Sequence, residues 1–176
     1  GSMQGTPIES VKAGIGQLHR DLMSDPQAIE SAYLSIITFS DSAQQLVPLT
    51  EVASFSPPDL YARGQTNFGD ALRMLIDCFD TEIVRTTPEQ KGDWRPLVFI
   101  LSDGAPTDAT WQQYAQTLAE RRPANIIAVA CGDQADVGVL KSVTESVKQT
   151  SAKVGSVPDG GSITLPPPPP GITIVP

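Results

Sequence analysis

The chain of 176 residues sets twelve Lys and Arg against twenty Asp and Glu, a net charge of −8. That balance repels phosphate backbones and anionic lipid unless a local basic cluster overrides it, and the sequence contains none. The longest apolar run, Pro96 to Leu101, falls far short of the roughly 20 residues of a membrane span, and no basic-then-apolar segment opens the chain, so neither nucleic acid nor membrane is an expected partner.

In chain order, Thr6-Pro7-Ile8-Glu9 reads as a helix start, with Thr6 as N-cap, Pro7 at the first helical position and Glu9 placed to close a capping box. Ile8, Val11, Ile15, Leu18 and Leu22 follow at the spacing of one buried helix face. Ser24-Asp25-Pro26 stops this helix, and the β-branched and aromatic run Tyr33 to Phe39 predicts a strand. Ser40-Asp41-Ser42 then turns the chain, and Gln45 to Leu49 returns as a short second strand. A loop holding Pro57, Pro58 and Gly64 leads to Thr66, at the junction with a second amphipathic helix marked by Ala71, Leu72, Leu75, Ile76, Phe79 and Ile83.

Leu97 to Leu101 is apolar on both faces of the pleat, as a central parallel strand must be, and it ends at Ser102-Asp103-Gly104. Trp111, Tyr114 and Leu118 mark the next helix, Ile126 to Ala130 another strand, and Val139, Leu140, Val143 and Val147 a last helical stripe. Such alternation requires crossover connections, so the expected fold class is α/β: a doubly wound, mostly parallel sheet with helices on both faces. Residues 1–150 form the expected domain and 151–176 a Gly/Pro-rich tail. In the tail, Pro166 to Pro170 read as a polyproline II spacer and 171–175 as one further strand, expected to pair within its own chain or to exchange with a neighbour as a dimer.

Two polar residues stand out by position, because ligands bind such sheets at the carboxyl ends of the strands. Asp103 lies immediately past a buried strand, where a carboxylate costs desolvation energy unless a cation or hydrogen-bond donors compensate it. Thr66 lies at the start of a helix after a glycine-containing loop. Each also has a plain structural explanation, Thr66 as a helix cap and Asp103 as a turn residue before Gly104. His19, the only histidine, is expected on the solvated surface of the first helix, which leaves no catalytic triad with histidine. Cys78 and Cys131 are expected as free, buried thiols, which points to a reducing, cytoplasmic compartment.

The strings around these residues resemble a known metal site. Gly64-Gln65-Thr66-Asn67-Phe68-Gly69-Asp70 is similar to the Thr loop, and Phe99-Ile100-Leu101-Ser102-Asp103-Gly104-Ala105-Pro106-Thr107-Asp108 to the Asp loop, of the metal-ion-dependent adhesion site (MIDAS) of von Willebrand factor A-type (vWA) domains. Gly1-Ser2-Met3-Gln4-Gly5 is similar to the end of that family's Asp-x-Ser-Gly-Ser-Met loop. Pro7-Ile8-Glu9-Ser10-Val11, Val47-Pro48-Leu49-Thr50 and the polyproline tail resemble the TerY-type group of bacterial tellurium-resistance and stress-response proteins.

The resemblance implies a Rossmann-like vWA domain that binds Mg2+, with Mn2+ as a substitute, through Ser2, Thr66 and Asp103. Gln65, Asn67 and Asp108 would form a rim for a protein partner that supplies an Asp or Glu to the ion. The Asp and first Ser of the family's opening loop, and the strand before them, do not precede Gly1. The expectation is therefore an N-terminally truncated domain, lacking its first strand and binding metal more weakly than an intact site. A binding module and not an enzyme is expected. The alternatives are a Mg2+-dependent phosphohydrolase on a similar sheet, against which the absence of Asp-x-Asp and Gly-x-x-x-x-Gly-Lys strings counts, and a metal-free structural module.

Overall fold

The computed structural model describes residues 3–103, 105–131 and 135–150. Ser2, Gly104 and the tail with its expected strand at 171–175 lie outside the described residues. Helix α1 spans Thr6–Met23 and α2 spans Pro26–Ser31. Strands β1 (Tyr33–Phe39) and β2 (Ala43–Glu51) form an antiparallel pair, joined by the expected turn at Ser40 to Ser42. Helix α3 (Phe68–Glu82) precedes β3 (Leu97–Ser102), α4 (Trp111–Arg121), β4 (Asn125–Cys131), α5 (Val137–Val143) and β5 (Val147–Thr150).

Strands β3, β4 and β5 form a parallel sheet in that order, with Leu97 opposite Asn125 through Ser102 opposite Ala130. Side chains alternate across a strand, so Val98 and Ile100 point one way and Leu97, Phe99 and Leu101 the other. The first set joins a core with Phe68, Leu72, Ile76 and Phe79 of α3, Leu118 of α4, and Leu140 and Val143 of α5. Full burial of each large apolar side chain contributes roughly 1.5–3 kcal/mol, so this helix-covered face holds the fold together. The second set stays 49%, 46% and 37% exposed. Helices α3, α4 and α5 thus share one face of the sheet, where two covered faces were expected. The outer edges of β1 and β3 also have no strand partner among the described residues.

The local predictions need three corrections. Thr6 does not cap α1: the cap position falls on Gly5 at φ 79°, no side chain caps it, and the Thr6 carbonyl accepts the Ser10 hydroxyl at 2.9 Å. Asp25-Pro26 not only ends α1 but starts α2, because the Asp25 carboxylate accepts the N–H groups of Gln27 and Ala28 while Pro26 occupies the first turn. Val147 belongs to β5 and not to the last helix, since Thr144 is extended and its hydroxyl donates to Ile126 O at 2.6 Å.

Helix α1 does not bury its apolar stripe. None of its residues is fully buried and Leu18 is 43% exposed. The helix lies along the segment after β2 instead, held by His19 Nε2 against Val52 O at 3.1 Å, by His19 edge-on to Phe55, and by Gln4 Nε2 donating to Ala62 O at 3.1 Å. His19 is therefore a half-buried anchor and not a solvated residue. Both cysteines are free and half-buried, not fully buried.

Candidate functional site at the carboxyl ends of the strands

Two carboxylates of α3 fix the helix against the β1–β2 pair. Asp70 Oδ2 accepts Ala43 N at 2.7 Å at the start of β2, and Glu82 accepts Gln45 Nε2 at 2.8 Å and Leu49 N at 3.1 Å further along it. This sets the first turn of α3 beside the end of β1, where Phe39 packs on Phe68 with ring centroids 5.9 Å apart. The loop entering α3 is thereby held between the ends of β1 and β3.

That loop is hydrogen-bonded to both sides. Asn67 N donates to Ser40 O at 2.9 Å, past the end of β1, and Asn67 Nδ2 donates to Asp41 O at 3.3 Å. Gln65 N donates to Asp41 Oδ1 at 2.9 Å. On the other side, Thr107 N donates to Thr66 O at 2.9 Å, which joins the Thr66 loop to the segment that follows Asp103. Gly64 permits the approach: its φ is +68°, and a Cβ there would meet the Asp41 carboxylate. The cap of α3 is Asn67, whose Oδ1 accepts Asp70 N, and not Thr66.

Asp41, Gln65, Asn67, Thr107 and Asp108 line an open cleft of about 260 Å³. Gln65, Asn67 and Asp108 thus share one cleft, while Asp41 and Thr107 were not singled out from the sequence. Asp41 follows the end of β1 as Asp103 follows the end of β3, so the strand-end argument applied to Asp103 would have found it too. Asp108 is engaged on both carboxylate oxygens. Gly69 N donates to them at 3.1 and 3.2 Å, and Thr110 adds its N–H at 3.1 Å and its hydroxyl at 2.7 Å, both to Oδ2. Burial pushes the Asp108 carboxyl up, but the Thr110 hydroxyl and the N–H groups of Gly69 and Thr110 outweigh it, holding the group below the usual carboxylate range.

Asp103 is half-buried at the end of β3. Its charge reaches Cys131, at the end of the neighbouring β4: burial pushes the Cys131 thiol up and the Asp103 carboxylate adds to the shift, which makes this thiol a poor nucleophile. Asp136 is the cap of α5, accepting Val139 N at 3.1 Å. No cluster of three or more His, Cys, Asp or Glu with metal-site geometry exists among the described residues. The donors at this end of the sheet are hydroxyls, amides and dispersed carboxylates, the hard-oxygen set that suits Mg2+ better than a thiol-preferring or imidazole-preferring ion.

Strands ending side by side, with a hydroxyl-bearing loop tied to a strand-end aspartate loop, define an open-sheet α/β domain. A family model for the von Willebrand factor type A domain matches residues 1–163, and the chain belongs to that family. Its fold is similar to solved structures of proximal thread matrix protein 1 (PTMP1) from the mussel byssus. One has a TM-score of 0.60 and 18% identity. A second crystal form, and a form described as having a zinc occupied MIDAS motif, each have a TM-score of 0.59. The match covers 82% of this chain and 38% of each of those. At that identity the likeness is one of fold. No curated protein sequence matches the chain.

Proposed function

We propose that this domain is a metal-ion-dependent protein-interaction module, in which Thr66, Asp103 and Ser2 hold Mg2+, with Mn2+ as a substitute, and a partner's Asp or Glu completes the shell. The observation that carries this reading is the Thr107–Thr66 backbone hydrogen bond of 2.9 Å, which ties the Thr66 loop to the Asp103 loop beside the cleft. Assignment of the α3 cap to Asn67 supports it, because the Thr66 hydroxyl is not needed for capping. A single charged ligand leaves a bound divalent ion with excess positive charge, which an acidic partner side chain would neutralise. The zinc named for one PTMP1 structure supports a divalent ion in this fold. The role assigned is binding without a reaction, in the cytoplasm and within a stress-response assembly of the TerY type.

The same reading completes the sheet. A strand between β1 and β3 would join both sheets into one doubly wound array and give the α1 stripe and the Phe99 face an apolar neighbour. The edges of β1 and β3, which have no strand partner among the described residues, support this. Calorimetric titration of the protein with Mg2+ and with Mn2+ tests the ion-binding reading, and Asp103→Ala locates the site. Heat from the wild type that disappears in the variant is expected. Equal binding by both proteins would place the ion elsewhere.

A further inference from the structure

Asp108 has an engagement that a rim residue does not need. Both its oxygens face the Gly69 N–H, in the first turn of α3, and Oδ2 also accepts the N–H and hydroxyl of Thr110. The contact is close because residue 69 is glycine: a Cβ there would run into Asp108 Oδ2, Thr110 Oγ1 and the backbone N of Trp111. A carboxylate at a helix N-terminus is also favoured by the helix dipole. One side chain thus clips the segment after Asp103 to the helix that follows Thr66, beside the Thr107–Thr66 hydrogen bond that links the two loops through their backbones.

We propose that Asp108 is a positioning residue of the cation site: without touching the ion, it holds the Thr66 and Asp103 loops at the separation the ion requires. This rests on the cation-binding reading above. With the clip in place, the two loops are held together before the ion arrives. With the clip removed, ion binding must also bring the loops together, and affinity falls by that cost. Removing a residue that orients metal ligands from outside the coordination shell lowers affinity by about 10–100-fold. The clip also couples the ion to the N-termini of both α3 and α4, since Thr110 immediately precedes Trp111.

The test compares Asp108→Asn with Asp77→Asn, which removes the same charge from an exposed position on α3. Two quantities are read: Mn2+ affinity by calorimetry, and hydrogen–deuterium exchange at the Gly69 and Thr107 amides in metal-free protein. In Asp108→Asn both amides are expected to exchange faster and Mn2+ affinity to fall about 10–100-fold, with added Mn2+ restoring protection at Thr107. Asp77→Asn should change neither. Faster exchange at Gly69 with unchanged Mn2+ affinity would overturn the positioning role. Complete loss of binding with Thr107 protection intact would also overturn it, since Asp108 would then be a ligand. If wild-type protein binds no Mn2+ at all, the cation reading fails, and the proposal with it, while the exchange data still show whether the clip exists. Should Asp108→Asn prove unstable, Thr110→Val removes the hydroxyl arm alone and should reproduce both effects at smaller size.

Discussion

Asp70 and Ala43 join two elements that the chain separates: Asp70 Oδ2, in the first turn of α3, accepts the backbone N–H of Ala43 at the start of β2 at 2.7 Å. That hydrogen bond, with Arg73 alongside, holds the Asp70 carboxyl below its ordinary value of 3.8. A carboxyl lowered on folding contributes stability that is present at neutral pH and is lost as pH falls from about 3.8 through the lower folded value. Asp108 and Asp80 shift in the same direction, Asp80 through its ion pairs with Arg121 and Arg85. Asp70→Asn is therefore expected to cost about 1 kcal/mol at neutral pH and less at a pH well below 3.8. Urea unfolding at both pH values checks this, and an equal cost at both would assign the effect to shape and not to charge.

The glycines near the cleft differ in what a methyl group would meet. Gly69→Ala must displace Asp108 or the backbone of Trp111, and overpacking of this kind costs about 1–3 kcal/mol. Gly64→Ala combines contact with Asp41 and a positive φ of 68°, which adds about 1 kcal/mol of backbone strain. At Gly14, inside α1, a Cβ would meet nothing within 4 Å beyond the helix's own neighbouring backbone, so Gly14→Ala should stabilise the helix by about 0.5–1 kcal/mol. The sign difference between Gly14 and Gly69 in denaturant titrations is the quantity to measure.

A ligand that binds only the folded state must raise its melting temperature. Wild-type protein is therefore expected to melt higher in millimolar Mg2+ than in chelator, and Asp103→Ala to melt at the same temperature in both. The variant should remain folded, because Asp103 stands past the end of β3 and outside the helix-covered core. A magnesium shift that survives in Asp103→Ala would remove this residue from the site.

Position along the chain located the candidate loops more than local pattern did. The parallel sheet was readable because Leu97 to Leu101 and Ile126 to Ala130 are apolar runs separated by a helical stripe, and β3 and β4 form where those runs lie. Thr66 and Asp103 stood out because each borders such an element. Local features misled where a tertiary contact overrode them. Val147 fits a helical stripe, but the Thr144 hydroxyl bonded to Ile126 O breaks the helix first. His19, beside Arg20 and away from both loops, was expected to be solvated, yet Val52 and Phe55, which arrive from beyond β2, half-bury it. No periodicity in α1 could reveal that its stripe has little to pack against, since that depends on what lies between β1 and β3.

The exposed face of β3 leads to a prediction about association. Phe99 and Ile100 are neighbours with opposite surroundings: Ile100 is 8% exposed among the helices and Phe99 is 46% exposed on the far face. Phe99 also lies on a strand whose outer edge has no partner among the described residues, and an apolar side chain beside unpaired N–H and C=O groups favours pairing with another chain. Ile100→Ala should cost about 2–5 kcal/mol, since it leaves a cavity between β3 and the helices. Phe99→Lys should change the unfolding free energy by less than about 1 kcal/mol, because a half-exposed position lets the lysine stem lie along the sheet with its charge in water. The same variant should sharply reduce self-association, as charge on an exposed edge strand opposes strand pairing. Denaturant unfolding and sedimentation velocity across a concentration series separate the two effects. If Phe99→Lys unfolds as readily as Ile100→Ala, the far face is covered in solution and Phe99 belongs to a second core; if it stays folded but associates as the wild type does, the edge of β3 is already paired.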